Sequence, residues 1–201
     1  MSAALLFQAA RLLEQDDALV NSRNASSQTP LHAAVAKSLL HMVQLLLSYG
    51  ADVGARTEAR FGGLTPLHVA ARYDLVDVGR ALVQAGAPPN ARALGSDATP
   101  LHECARFGST AMLQWLLSIP GVDGAATDSA GFAAAYYAKK AGHVALAKML
   151  PQVKYDLWNQ LKGEPHYAAN LAAVQETIEK KEKIAARKLE ALEKKKKKKP
   201  F

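Results

Sequence analysis

Three histidines, His32, His68 and His102, recur at intervals of 36 and 34 residues, and so regular a series raises the question of a metal site. Zinc ligands come in close pairs a few residues apart, and single histidines at these intervals have no such partner. His41, His143 and His166 show no ligand pattern either. Cys104 raises a second question, since Glu103 and His102 precede it and a thiol beside a base is the chemistry of a nucleophile. However, Cys104 falls where Ala34 and Ala70 stand in two matching stretches upstream. That is a small apolar slot, in which a cysteine is expected to be inert. No Gly-rich phosphate loop, G-x-S-x-G or H-E-x-x-H is present. The expectation is a protein that is not an enzyme and holds neither cofactor nor metal.

The remaining chemistry is electrostatic. Lys194, Lys195, Lys196, Lys197, Lys198 and Lys199 form an unbroken run near the end of the chain. The formal net charge of +7 is unevenly spread: residues 1–150 hold 12 Lys and Arg against 11 Asp and Glu, and residues 151–201 hold 13 against 7. A nearly neutral body with a basic arm argues against a body-wide grip on nucleic acid. One cysteine fits a reducing compartment. No basic n-region opens the chain and no apolar run approaches the ~20 residues that span a bilayer, so a soluble intracellular protein is expected.

The elements that must position these residues are repeated. "TPLHAAVA" from Thr29, "TPLHVAAR" from Thr65 and "TPLHECAR" from Thr99 lie in phase, and each is followed by an apolar cluster: "LLLSYGAD", "ALVQAGAP" and "WLLSIPGVD". Thr29, Thr65 and Thr99 suit helix N-caps, with Pro30, Pro66 and Pro100 at the first helical position. A turn is predicted near Ser38, Asp74 and Gly108. A second helix then carries Val43, Leu46 and Leu47, or Ala81, Leu82 and Val83, or Leu113, Leu116 and Leu117. Gly50 and Gly86 are placed to end such helices in a left-handed conformation.

This pattern resembles the ankyrin repeat, whose signature includes T-P-L-H-x-A and a later leucine run closing on G-A-D. A worn fourth copy reads "AAAYYAKKAGH" from Ala133, with Asp128, Gly131, Ala138, Gly142 and His143 at the family spacing. "LLFQAARLLEQDDALVN" looks like a truncated first copy, its Val20 and Asn21 standing where the family has V-N. The fold implied is an all-α ankyrin-repeat solenoid over residues 1–150: an N-terminal half-repeat, three full repeats and a degenerate capping repeat, with hairpin-like loops. The resemblance also implies that the histidines bond between adjacent repeats, and that partners meet the concave surface. Carried over position by position, that surface offers Arg56, Arg60 and Phe61, then Arg72 and Tyr73, Arg92, Arg106 and Phe107, and Lys140. Arg23, Asn24, Lys37, Leu94, Thr127 and Asp128 flank them. The second finger, "ARTEARFGGL", is extended, and long loops in repeat proteins often lie on the binding face. Arginines beside aromatics favour an acidic or phosphorylated peptide.

After Pro151, residues 151–166 gather Tyr155, Leu157, Trp158 and Leu161, read as a segment capping the open end of the last repeat. Residues 167–201 are rich in Ala, Glu, Lys and Leu, and an extended charged helix is expected there. Leu171, Val174, Ile178, Ala185, Leu189 and Leu192 make only a thin apolar stripe, too little for a coiled coil or for holding a membrane surface. Aromatics for stacking on single-stranded nucleic acid are missing as well. The resulting expectation is a non-catalytic adaptor or scaffold with a protein partner on its concave face. Its lysine-rich tail docks on an acidic protein surface such as that of tubulin, within a cytoskeletal or axonemal assembly of the cytoplasm or cilium. The alternative is a nuclear or ribosomal factor whose tail follows the phosphate backbone.

Overall fold

The computed structural model describes residues 3–151. The expected capping segment with Trp158, the charged helix of residues 167–201 and Lys194–Lys199 within it lie outside the described residues.

Each full repeat opens in the same way. Thr29, Thr65 and Thr99 are extended, at φ −86°, −85° and −94°, and cap the inner helices α2 (Pro30–Ala36), α4 (Pro66–Arg72) and α6 (Pro100–Phe107). The backbone N–H three residues on donates to the threonine hydroxyl, and the histidine ring accepts the threonine N–H, which satisfies two donors that a helix start otherwise leaves bare. Proline at the first position has no N–H to leave unpaired.

A left-handed residue then reverses the chain: Ser38 (φ 56°), Asp74 (57°), Gly108 (79°) and Gly142 (83°). Asp74 is one of the few non-glycine types that tolerate this region. Its carboxylate also accepts the Met112 N–H at 2.7 Å, in the next repeat's outer helix. The outer helices are α3 (Leu40–Ser48), α5 (Val76–Gln84) and α7 (Thr110–Leu117). The worn fourth copy supplies α8 (Ala134–Lys140) and α9 (Val144–Met149), and α1 (Ala3–Gln15) with a 3-10 turn at Asp17–Asn21 precedes the first full repeat. There is no strand among the described residues; Thr127 and Ala133 form one isolated antiparallel bridge.

Helices of six to nine residues are too short to persist alone in water. Stacking holds them: α2, α4, α6 and α8 pack side by side in that order, and so do α3, α5 and α7. The shared core runs from Leu13 and Leu31 through Leu67, Leu82, Leu101 and Leu116 to Leu146. Each repeat buries its apolar face only against its neighbours, as in other solenoids.

Neighbouring repeats are also tied by bonds between asparagine side chains and the backbone. Asn21 donates to the Gly50 carbonyl (3.4 Å) and accepts the Asp52 N–H (2.8 Å); Asn90 repeats the motif with Gly121 (2.7 Å) and Asp123 (3.0 Å).

Candidate interaction surface on the inner helices and fingers

The histidine series explains itself first. Because Nδ1 of His32, His68 and His102 accepts the N–H of the preceding threonine, Nε2 carries the proton. It donates to a carbonyl of the next repeat: Leu64 at 3.0 Å, Ala98 at 2.9 Å and Phe132 at 3.0 Å. These are interstrut bonds in a buried row, as the resemblance implied. Burial holds all three rings below the ordinary histidine value, and His68 is lowered to about 4. A depressed histidine binds fewer protons folded than unfolded. Its stability contribution is therefore complete above about pH 6.5 and is lost as pH falls toward 4. For His68 alone this amounts to roughly 3 kcal/mol. Thermal unfolding followed by circular dichroism should show a Tm steady from pH 8 to 7 that drops steeply between pH 6 and 4.5. His68→Gln should flatten that slope.

Cys104 is fully buried, its Sγ 3.7 Å from the Ala71 carbonyl, and burial pushes the thiol far up. A thiolate nucleophile is not available there. Iodoacetamide should label Cys104 in 6 M guanidinium and leave it unlabelled in buffer. Among the described residues no three His, Cys, Asp or Glu side chains gather into a metal-ligand set.

The inner helices end in a ladder of cations and aromatics. Arg72, on α4, lies 4.7 Å above the Phe107 ring of the next repeat. Its Nε and Nη2 also donate to Oε2 of Glu103 at 2.9 and 2.8 Å. Arg106, on α6, approaches the other Glu103 oxygen at 3.7 Å and lies 4.8 Å above the Tyr137 ring. Lys140 lies 5.9 Å above the Tyr136 ring, which stacks on Phe132 at 4.1 Å. Tyr137 donates to Asp128, and burial together with that bond pushes its phenol up to about 12. Tyr73 and Phe107 remain about half exposed at the ladder's edge.

The finger residues behave differently from one another. Arg60 pairs with Glu58, reaches the Ala25 carbonyl and lies 5.0 Å above Phe61, which is exposed at the tip of a 3-10 turn (Ala59–Phe61). Arg92 donates to the carbonyls of Asp97 and Thr127, linking its own finger to the next, while Arg23 does the same toward the Arg56 carbonyl. Arg56 itself is half-buried. The structure thus joins Arg72, Arg106, Phe107 and Lys140 into one run of contacts on the inner helices, and sets Arg56, Arg60, Phe61 and Arg92 on the fingers. Sequence reasoning weighed Glu103 only beside Cys104 and gave Tyr136 and Tyr137 no part in this surface. For Glu103 a signal existed: Ala33 and Val69 hold its position in the earlier repeats, so an acid there requires a cation from a neighbouring repeat.

Fold and surface together define a helical-repeat binding scaffold. A family model for ankyrin repeats in three copies matches residues 2–93 and one for a single ankyrin repeat matches residues 97–126; the chain belongs to the ankyrin-repeat family. It is 38% identical to human protein phosphatase 1 regulatory subunit 27 over 86 residues, covering 39% of this chain and 54% of that one. It is also 38% identical to human ankyrin repeat and SOCS box protein 16 over 92 residues, 46% of this chain and 18% of that one. Alpha-latrotoxin-Lh1a of Latrodectus hasselti is 28% identical over 152 residues, 76% of this chain and 11% of the toxin. The chain thus spans about half of the first of these relatives and under a fifth of the others. Family membership implies protein–protein interaction.

Proposed function

We propose that this protein is a non-catalytic adaptor whose concave face takes an acidic or phosphorylated segment of one protein, while its lysine-rich tail docks on a second acidic surface. The observation that carries the reading is the ladder at the inner-helix ends. Arg72, Arg106 and Lys140 lie over the rings of Phe107, Tyr137 and Tyr136, and Phe107 is itself exposed. Its two carboxylates are buried and already partnered, Glu103 by two arginines and Asp128 by the Tyr137 hydroxyl. Cations held over aromatic faces are pre-oriented, and recognition of carboxylate or phosphate then needs little further ordering.

For the tail, the preferred setting is a cytoskeletal or axonemal assembly in which Lys194–Lys199 meet the acidic tails of tubulin; the support is charge complementarity alone. Co-sedimentation with microtubules after nuclease treatment tests it, with the full chain compared against a truncation ending at Gln175. Pelleting of the full chain alone is the expected result. If neither protein pellets, and the full chain instead binds DNA with a steep salt dependence indifferent to sequence, the nucleic-acid reading replaces this one.

A further inference from the structure

The inner helices align by counting from their caps, Thr29, Thr65, Thr99 and Ala133. The seventh residue after each cap is Ala36, Arg72, Arg106 and Lys140 in turn, so three rungs of the ladder are cationic. They are not equivalent. Arg72 reaches forward to the fourth and eighth residues of the next helix: its fork donates twice to Glu103, and it lies over Phe107. One helix further on, those two places hold Tyr137 and Ala141. Arg106 keeps a ring beneath it, but Tyr137 stands where Arg72 has its carboxylate, and the Tyr137 hydroxyl is committed to Asp128. The acidic contact of Arg106 is with its own helix, the second Glu103 oxygen at 3.7 Å, well beyond the about 2.7–2.9 Å of a charge-assisted bond. Its side chain is 43% exposed, and Lys140 is exposed as well.

We propose that this face takes a polyproline II segment of the partner protein with acidic side chains three residues apart, one on Arg106 and the next on Lys140, while Glu103 fills the Arg72 rung from within. This register rests on the adaptor reading and deepens it. The molecule supplies its own template, since Glu103 on Arg72 shows a carboxylate seated on the guanidinium fork beside an aromatic ring. The spacing follows from geometry. Arg106 and Lys140 hold the same position on α6 and α8, which pack side by side, and packed helices lie about 8–10 Å apart. A polyproline II helix has three residues per turn and rises about 3.1 Å per residue, so every third side chain returns to one face after about 9 Å. A β-strand would turn the third residue to its opposite face. The rings of Phe107, Tyr137 and Tyr136 under the three cations also suit this conformation, which docks on aromatic-lined surfaces. An acid opposite Arg72 gains little, because that cation is already neutralised by a buried carboxylate.

The probes are fluorescein-labelled peptides of equal composition, one built on Glu-Pro-Pro-Glu and the other on Pro-Glu-Glu-Pro, titrated with the full chain by fluorescence anisotropy at low salt. The first is expected to bind about tenfold more tightly, the gain from one more seated carboxylate. Lys140→Glu should weaken it to the level of the second, and exchanging one of its glutamates for lysine should restore it. Both peptides meet the same variant, so this comparison stands whatever the variant's stability. Glu103→Gln keeps the side-chain shape and removes the charge that neutralises Arg72. Extending the probe to Glu-Pro-Pro-Glu-Pro-Pro-Glu should then gain about tenfold, against no more than about twofold with the parent, the statistical factor of two registers. An equal gain in both proteins would overturn the role given to Glu103. Equal affinity for the two shorter probes, lost in Arg106→Glu, would overturn the register and leave the adaptor reading standing. Binding of neither, or binding unmoved by Arg106→Glu, would overturn both.

Discussion

Arg72→Ala is expected to lower stability by about 3 kcal/mol, far more than the loss of a surface arginine, because it strips the closest cation from a buried carboxylate. Glu103 has a side chain only 2% exposed, against 32% for Arg72, and the two meet across the interface between the second and third full repeats. Arg106, at 3.7 Å, compensates in part. A charge left without its partner in such a place is costly, whereas removal of both charges is not. The double variant Arg72→Ala/Glu103→Leu should therefore recover most of the loss, and Glu103→Leu alone should cost less than Arg72→Ala. Urea unfolding of the four proteins reads this out as a coupling energy. Equal losses for both single variants, adding in the double, would mean the pair contributes nothing specific. The cycle also separates two roles of Arg72, since its guanidinium is engaged within the protein before any partner arrives.

Gly63→Ala carries the second large effect. Gly63 is left-handed (φ +58°), and an added Cβ would lie 2.2 Å from the Leu94 Cβ and 2.5 Å from the Leu94 backbone nitrogen. Backbone cannot give way as a flexible side chain does, and the Leu94 N–H also donates to the Gly63 carbonyl at 3.1 Å. The second and third fingers must part, with a loss of about 2–4 kcal/mol from strain and the broken contact. Hydrogen exchange should localise the damage, with faster exchange at Leu94 and Leu64 and little change in α8. Because Leu64, Ala93 and Ala98 form a small core of their own at this point, the fingertip presenting Phe61 should lose its fixed geometry as well.

What could be read from the sequence was what repeats. The threonine caps, the proline at each helix start, the turns at Ser38, Asp74 and Gly108 and the helix ends at Gly50 and Gly86 are local requirements of backbone geometry, so each copy states them anew. The worn fourth repeat was legible through Asp128 and Gly131. Asp128 accepts the N–H groups of Ala130 and Phe132 at 2.9 and 3.0 Å and so builds the entry to α8 without a Thr–His pair. Contacts that exist once were not legible. The Arg72–Glu103 pair spans 31 residues and depends on the register of two inner helices. The Phe132–Tyr136 stack requires the loop and the helix to fold back on each other.

The central claim is that the concave ladder recognises an acidic segment, and the most direct measurement is NMR mapping of the full chain titrated with a Glu-rich peptide, with and without one phosphoserine. The account predicts shifts concentrated at Tyr73, Arg106, Phe107, Tyr136 and Lys140, stronger with the phosphate, weakened by salt and abolished by Arg106→Glu. Shifts confined to the outer helices α3, α5 and α7, or a titration unmoved by Arg106→Glu, would contradict it.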